Sequence, residues 1–357
     1  MAQTIDFSQF TVDNGAIHDL NELLFTSTFE DPKLEDLITI QKDVQNGKKL
    51  GFIDSIDDVG VEGGGCDPTY TKVKINGEEK TWELGEWEIP KDFCYKDLTD
   101  TLAKFGMKPG TMRGDLQNTP YWDKLLIPLL KKAILDMFFR FVWFGDKNAK
   151  NTGVESGGVL ATGVDPKLFS VCDGLWKKLE AIIAANKNQK TAIAANAKTT
   201  YAEQKAAIRV KGAAMEVVDS MLVDADGRIF DKDHAIYMTN SLFKALRSDV
   251  YERTKYQLDT KTLLNGITVS EYDGVKVFAL DIWDRMIKKY ENDGTKFNLP
   301  HRAVLANPTN LFAGTSDEGL FGQLDISFDV KARKNHIYVG GDIGTLIGED
   351  NLVQVAL

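Results

Sequence analysis

The chain is poor in the residues on which most catalytic and metal chemistry rests. Only four histidines and three cysteines are spread over 357 residues. His18, His234, His301 and His336 each lack a cysteine or carboxylate at ligand spacing, so each is expected to be a satisfied structural histidine and no metal site is assigned. Cys66, Cys94 and Cys172 are odd in number and far apart, which best fits synthesis in a reducing cytoplasm. No stretch reaches the ~18 uninterrupted apolar residues of a membrane span, so no membrane partner is expected. The opening MAQTIDFSQF has neither a basic nor an apolar leader region, so no secretory signal is expected. There is no Asn-X-Ser/Thr sequon with X other than Pro.

The short motifs that carry chemistry are missing as well. The sequence has no Gly-x-x-x-x-Gly-Lys-Ser/Thr, no His-Glu-x-x-His and no Cys-x-x-Cys. Gly314-Thr315-Ser316-Asp317-Glu318 lacks the second glycine of a serine-hydrolase elbow. The half-EF-hand-like run 223–229 reads as an Asp-Gly turn between helix and strand. Gly340-Gly341-Asp342-Ile343-Gly344 opens no helix and so is not a dinucleotide loop. Arg113-Gly114-Asp115 reads as a polar turn. No catalytic or cofactor-binding residue is assigned, and no cofactor is expected. An enzyme built from scattered groups stays open, because catalytic residues can come from distant positions.

Charge is present in quantity but unevenly placed. The net charge is −10, and residues 1–100 hold 22 acidic against 9 basic side chains while the remainder is near neutral. An acidic first third argues against wrapping nucleic acid there. It suits either a solvated surface or an acidic arm lying on a basic patch of a neighbouring copy.

Residues 1–60 carry few core residues for their length and read as an arm that needs another surface. Asn76-Gly77 between two strand-like runs, 70–75 and 78–84, predicts a hairpin turn. The poor apolar alternation of its first strand predicts that the hairpin projects. Trp82 and Trp87 beside it then read as a partner surface or, with equal weight, as a local mini-core. Residues 121–144 show an apolar face at helical spacing and predict one long helix, opened or kinked at Pro128. Residues 173–222 read as helical again. From 224 onward short strands (235–238, 275–279, 302–306) alternate with helices (241–253, 281–290), which predicts a compact α/β unit. Strict alternation at 324–331, 337–339 and 353–357, broken at Gly340-Gly341, predicts strands that return to a sheet begun earlier.

This order resembles the major capsid protein of tailed bacteriophages, with the fold first described for phage Hong Kong 97. The resemblance is carried by Ala235-Ile236-Tyr237-Met238-Thr239-Asn240-Ser241, by Asp273-Gly274-Val275-Lys276-Val277, and by Arg302 through Leu311 with Gly314-Thr315. In the first half, residues 37–52, the Cys66 loop and Trp143-Phe144-Gly145-Asp146 are similar to coat proteins of phages of gut Bacteroides-type hosts.

The resemblance implies an α+β capsid fold with an N-terminal arm (1–60), an extended β-hairpin loop (61–100), a peripheral domain with a long spine helix (101–215 and 320–357) and an α/β axial domain (216–319). It implies a coat protein that self-associates as pentamers and hexamers into an icosahedral shell around phage double-stranded DNA, without sequence-specific contact to that DNA. A separate scaffolding protein and a portal are expected, and the chain would sit in the virion capsid after synthesis in the bacterial host. Trp82, Trp87, Phe7 and Phe10 are the expected inter-subunit contacts. The alternatives are an encapsulin-like nanocompartment shell protein and a soluble α/β enzyme with its site at 216–319.

Overall fold

In a computed structural model the protein is described at residues 37–56, 72, 75–93, 127–262, 267–316, 323–329 and 334–357. Phe7, Phe10, His18, Cys66, Cys94 and the Arg113-Gly114-Asp115 tripeptide lie outside these residues.

A seven-stranded mixed sheet forms the centre. Its strands are β5 (Lys190–Thr191), β6 (Ala235–Thr239), β7 (Thr260–Thr262), β8 (Ile267–Tyr272), β9 (Val275–Leu280), β10 (Ala303–Ala306) and β14 (Val353–Ala356), in the order β5-β14-β10-β6-β9-β8-β7. β6, β10 and β14 are buried at every residue, which is how strands read when both faces of a sheet are covered. Alternate residues feed two cores. Tyr237, Phe278, Val304 and Val355 enter one with α1 (Ile127–Phe144), α2 (Leu175–Ala185) and α6 (Asp281–Tyr290). Ile236, Met238, Val277 and Leu305 enter the other with α4 (Ala213–Asp224) and α5 (Asn240–Thr254). The result is three layers, helix on sheet on helix.

The local causes are plain. α6 places Ile282, Trp283, Met286, Ile287 and Tyr290 on one buried stripe, with Asp281 and Asp284 in its first turn and Lys288 and Lys289 in its last, as the helix dipole favours. α1 has 18 described residues, about 27 Å, and its last turn is buried all round through Phe144. Asp273 (φ 50°) and Gly274 (φ 78°) make the tight β8–β9 turn. The expected continuous helix after 201 is instead two, α3 (Tyr201–Ile208) and α4, because Gly212 takes φ 84° between them. α3 starts on a reciprocal cap between Thr200 and Glu203.

A second sheet holds β1 (Thr39–Gln41), β11 (Leu311–Gly314), β13 (Lys334–Ile347) and β12 (Gln323–Asp329), with β4 (Gly85–Phe93) also on β13. β1 runs parallel to β11, and β4 pairs antiparallel with β13 from Asn335↔Phe93 to Ile343↔Gly85. A two-stranded ribbon joins β2 (Lys49–Ile56) to β3 (Ile75–Thr81), with a bulge between Ile53 and Ser55.

Three expectations need correction. Asn76-Gly77 is no turn: it lies inside β3, opposite Ser55 and Ile53 of β2. β2 supplies the partner strand from upstream, and a dipeptide signal cannot report that. Gly340-Gly341 does not interrupt the strand, because β13 is held there by backbone pairing to Glu88 and Trp87, which needs no side chain. Finally, β14 and β5 belong to the sheet of β6, β9 and β10, so the boundaries drawn at 215 and 320 cut through one sheet. The expected return of the last strand does occur: β14 pairs antiparallel with β10 and parallel with β5.

Candidate functional site

The residues that gather in space join structural elements to one another. The first junction fixes the segment that enters at residue 37. β1 adds to β11, Val44 N donates to Thr315 O (2.9 Å), Thr315 N donates to Gln41 O (3.1 Å) and Thr39 Oγ1 donates to Pro308 O (3.1 Å). Tyr237 of the central sheet donates its hydroxyl to Leu37 O at 2.6 Å. Two sheets thereby hold one short strand.

The second junction is the root of the β2–β3 ribbon. Trp82 follows β3 and is 1% exposed, packed with Val44, Leu346, Leu50, Phe52, Leu84 and Phe312. Trp87 on β4 is 4% exposed and belongs to the main core. The expected role of Trp82 and Trp87 as exposed contact residues is therefore corrected: both are covered by their own chain. The mini-core alternative holds for Trp82, because residues 44 and 312–314 return over the indole, and a Cβ on Gly314 would meet its ring at 2.7 Å. Around this root, Lys80 pairs with Asp350 (2.6 Å) and Lys147 with Glu83 (2.7 Å). The Lys147 bond holds the Glu83 carboxyl below its ordinary range. Lys178 donates to Thr345 O at 2.5 Å, and burial lowers its ammonium pKa.

The third junction is aromatic. Trp143 of α1, Trp176 of α2 and Trp283 of α6 pack edge-on or tilted, with centroids 4.6 to 6.1 Å apart, and Tyr237 lies 5.9 Å from Trp143 while stacking on Phe278. Beside it Arg302 and Glu291, both almost fully buried, form an ion pair. Arg302 also donates to Leu299 O and Asn298 O and lies over the Phe144 and Trp176 rings.

One cluster has the composition of hydrolytic chemistry. Ser241 Oγ lies 3.0 Å from His301 Nδ1, and Asp284 is adjacent. The other ring nitrogen of His301 faces the Gln204 carbonyl oxygen at 3.3 Å, not a carboxylate. Burial pushes the imidazole down to about 4, so it stays neutral. Asp284 accepts Asn240 N (2.6 Å) and Ser241 N (3.0 Å), capping α5 from α6, and burial pushes its carboxyl up to about 6. This arrangement orients a helix and does not prime a nucleophile. His301 thus fits the structural reading. His234 Nδ1 lies 2.9 Å from Lys232 O. Asp226 is occupied by the backbone N–H and guanidinium of Arg228. Among the described residues no group of three or more His, Cys, Asp and Glu is placed to hold a metal.

No family model and no curated protein matches the sequence. Solved structures do. One from Gordonia phage Cozz is similar with a TM-score of 0.50 at 10% identity, covering 100% of this chain and 90% of that one. One from Mycobacterium phage Ogopogo has a TM-score of 0.50 at 11% identity, covering 90% of each chain. The chain shares its fold with these two phage structures. A satellite phage P4 procapsid structure is also similar, with a TM-score of 0.47 at 12% identity over 95% of this chain and 98% of that one. Within this fold, the three junctions connect entering strand, ribbon, long helix and central sheet into one body. The Tyr237 and Arg302 contacts were not legible in the sequence, because their partners include backbone carbonyls and no side-chain pattern marks those.

Proposed function

We propose that this chain is the major capsid protein of a tailed bacteriophage, which self-assembles into an icosahedral shell around double-stranded DNA. The observation that carries this reading is the likeness to the Gordonia phage Cozz structure, at a TM-score of 0.50 with 100% of this chain covered. A fold alone does not fix function; what supports the structural reading at the level of residues is that the three junctions lock elements to one another. The fold favours a structural protein over an enzyme. Energy for assembly comes from many weak contacts repeated by symmetry. The copies of this chain are its principal partners, in pentamers and hexamers, and a scaffolding protein and portal complete the particle. In this reading residues 1–60 form the arm, 61–100 the extended loop, and the seven-stranded sheet with α4 and α5 the axial domain. The spine helix is α1, within the peripheral domain. The protein ends in the virion capsid.

The test is co-expression of the full chain with the genes that flank its own, followed by negative-stain microscopy and analysis of particle contents. Closed shells that protect DNA support the proposal. Shells filled with a protein cargo would replace it with the nanocompartment alternative.

A further inference from the structure

The central sheet carries on one side a pair of surfaces of opposite charge, and they give the shell reading, on which this inference rests, a specific contact. Between α4 and α5 opens a cleft of about 880 Å³. Glu216, Asp219 and Asp224 of α4 and Asp249 and Glu252 of α5 line it, against the two cations Lys211 and Arg253. Asp249 is committed to the fold, accepting Ala214 N (3.0 Å) and Met215 N (3.3 Å). Asp219 accepts the Tyr272 hydroxyl at 2.6 Å, Lys211 pairs with Glu252 at 3.6 Å, and Arg253 donates to Met215 Sδ at 3.1 Å. Glu216 and Asp224 remain exposed at the rim, together with Val223, which is 81% exposed. A large apolar side chain left open beside unbalanced negative charge fits a surface made to be covered.

The complementary surface is on the same helix. Lys244, Arg247 and Tyr251 recur at i, i+3 and i+7 on α5, so they form one stripe. All three are exposed, Tyr251 to 47%, and Lys255 extends the stripe with its ammonium 5.9 Å from the Tyr251 ring. At about 100° per residue this stripe stands on the opposite side of α5 from Asp249, with Glu252 roughly a quarter-turn round from the stripe, and none of its residues lines the cleft. A basic, aromatic ridge and an acidic cleft on opposite flanks of one helix cannot meet within a chain. They meet between two copies placed head to tail, and such a heterologous contact closes into a ring when the rotation between copies closes.

We propose that Lys244, Arg247 and Tyr251 of one copy dock into the acidic cleft at Glu216, Val223 and Asp224 of the next, and that this contact builds the rings of the shell. Tyr251 supplies the amphipathic anchor and the charges set register and exclude the reversed pairing.

The test uses the full chain with Arg247→Glu, Glu216→Lys and the two combined, followed by sedimentation velocity over a concentration series. Both positions are exposed, and circular dichroism with thermal melting confirms that each variant keeps the wild-type fold. Each single reversal is expected to raise the concentration at which rings or shells appear by about tenfold or more, because like charges then face each other. The double reversal in one chain is expected to restore assembly. Wild-type assembly in both single variants, or no recovery in the double variant, overturns this contact and leaves the shell reading standing. A wild-type chain that stays monomeric throughout the series, both alone and co-purified with the products of its flanking genes, overturns the shell reading itself.

Discussion

The Tyr237 hydroxyl donates to the Leu37 carbonyl oxygen at 2.6 Å, joining residues 200 apart in the chain. Tyr237 belongs to the central sheet, and Leu37 begins the short stretch that runs into β1 on the other sheet. One buried hydroxyl therefore sets where the chain from the N-terminal side enters the body.

Tyr237→Phe removes only that donor, since the ring keeps its stacking on Phe278 and its contact with Trp143. The buried Leu37 oxygen is left without it. The expected cost is about 1–2 kcal/mol in urea unfolding, with faster amide exchange at Thr39, Ile40 and Gln41. Unchanged exchange in that strand would show that β11 alone positions it.

Trp82 tests the ribbon root. Trp82→Ala opens a cavity among Val44, Leu346 and Phe312, and the expected loss is about 3–5 kcal/mol, read as a lowered denaturation midpoint of the monomer. A variant as stable as wild type that fails only in assembly would return Trp82 to a contact role.

Much of the α/β unit was legible before the structure. The helix expected at 281–290 matches α6 to the residue, and the strand expected at 275–279 falls within β9. Local signals sufficed because those elements are amphipathic or tightly turned. The ribbon was not legible in the same way. Asn76-Gly77 carries a strong turn signal, yet β2 captures it as strand, and Trp82 looks exposed until residues 312–314 close over it. Sheet membership of the two-residue β5 depends on β14, which lies about 160 positions downstream. No periodicity fits in two residues. The charged flanks of α5 were visible as residues but not as surfaces, because their opposition depends on which side α4 covers.

Arg302 and Glu291 form a pair with both side chains only 3% exposed. Arg302→Leu or Glu291→Leu alone leaves an uncompensated buried charge and is expected to cost about 3–5 kcal/mol. The double replacement is expected to recover most of that loss. A double-mutant cycle by chemical denaturation measures both, and additive losses would contradict direct coupling of the two groups.

His301 and Asp284 pull acid stability in opposite directions. The imidazole titrates at about 4 in the fold against 6.5 for its ordinary value, so the unfolded chain binds the extra proton between those pH values and stability falls as pH drops through them. The carboxyl titrates at about 6 against 3.8, so the folded chain binds the extra proton there and stability rises as pH drops from 6 towards 4. The two contributions offset each other between pH 4 and 6. Asp284→Asn removes the second and leaves the first. Relative to wild type, the variant is expected to lose about 2–3 kcal/mol more between pH 6.5 and 4, read from urea midpoints across that range. Parallel pH profiles for the two proteins would contradict the assigned titrations.

Sedimentation velocity of the full chain, alone and co-purified with the products of its flanking genes, tests the central claim most directly. A capsid protein gives discrete fast-sedimenting species, rings or closed shells, whose amount rises steeply with concentration. A single monomer boundary at every concentration, with and without those partners, would contradict the account.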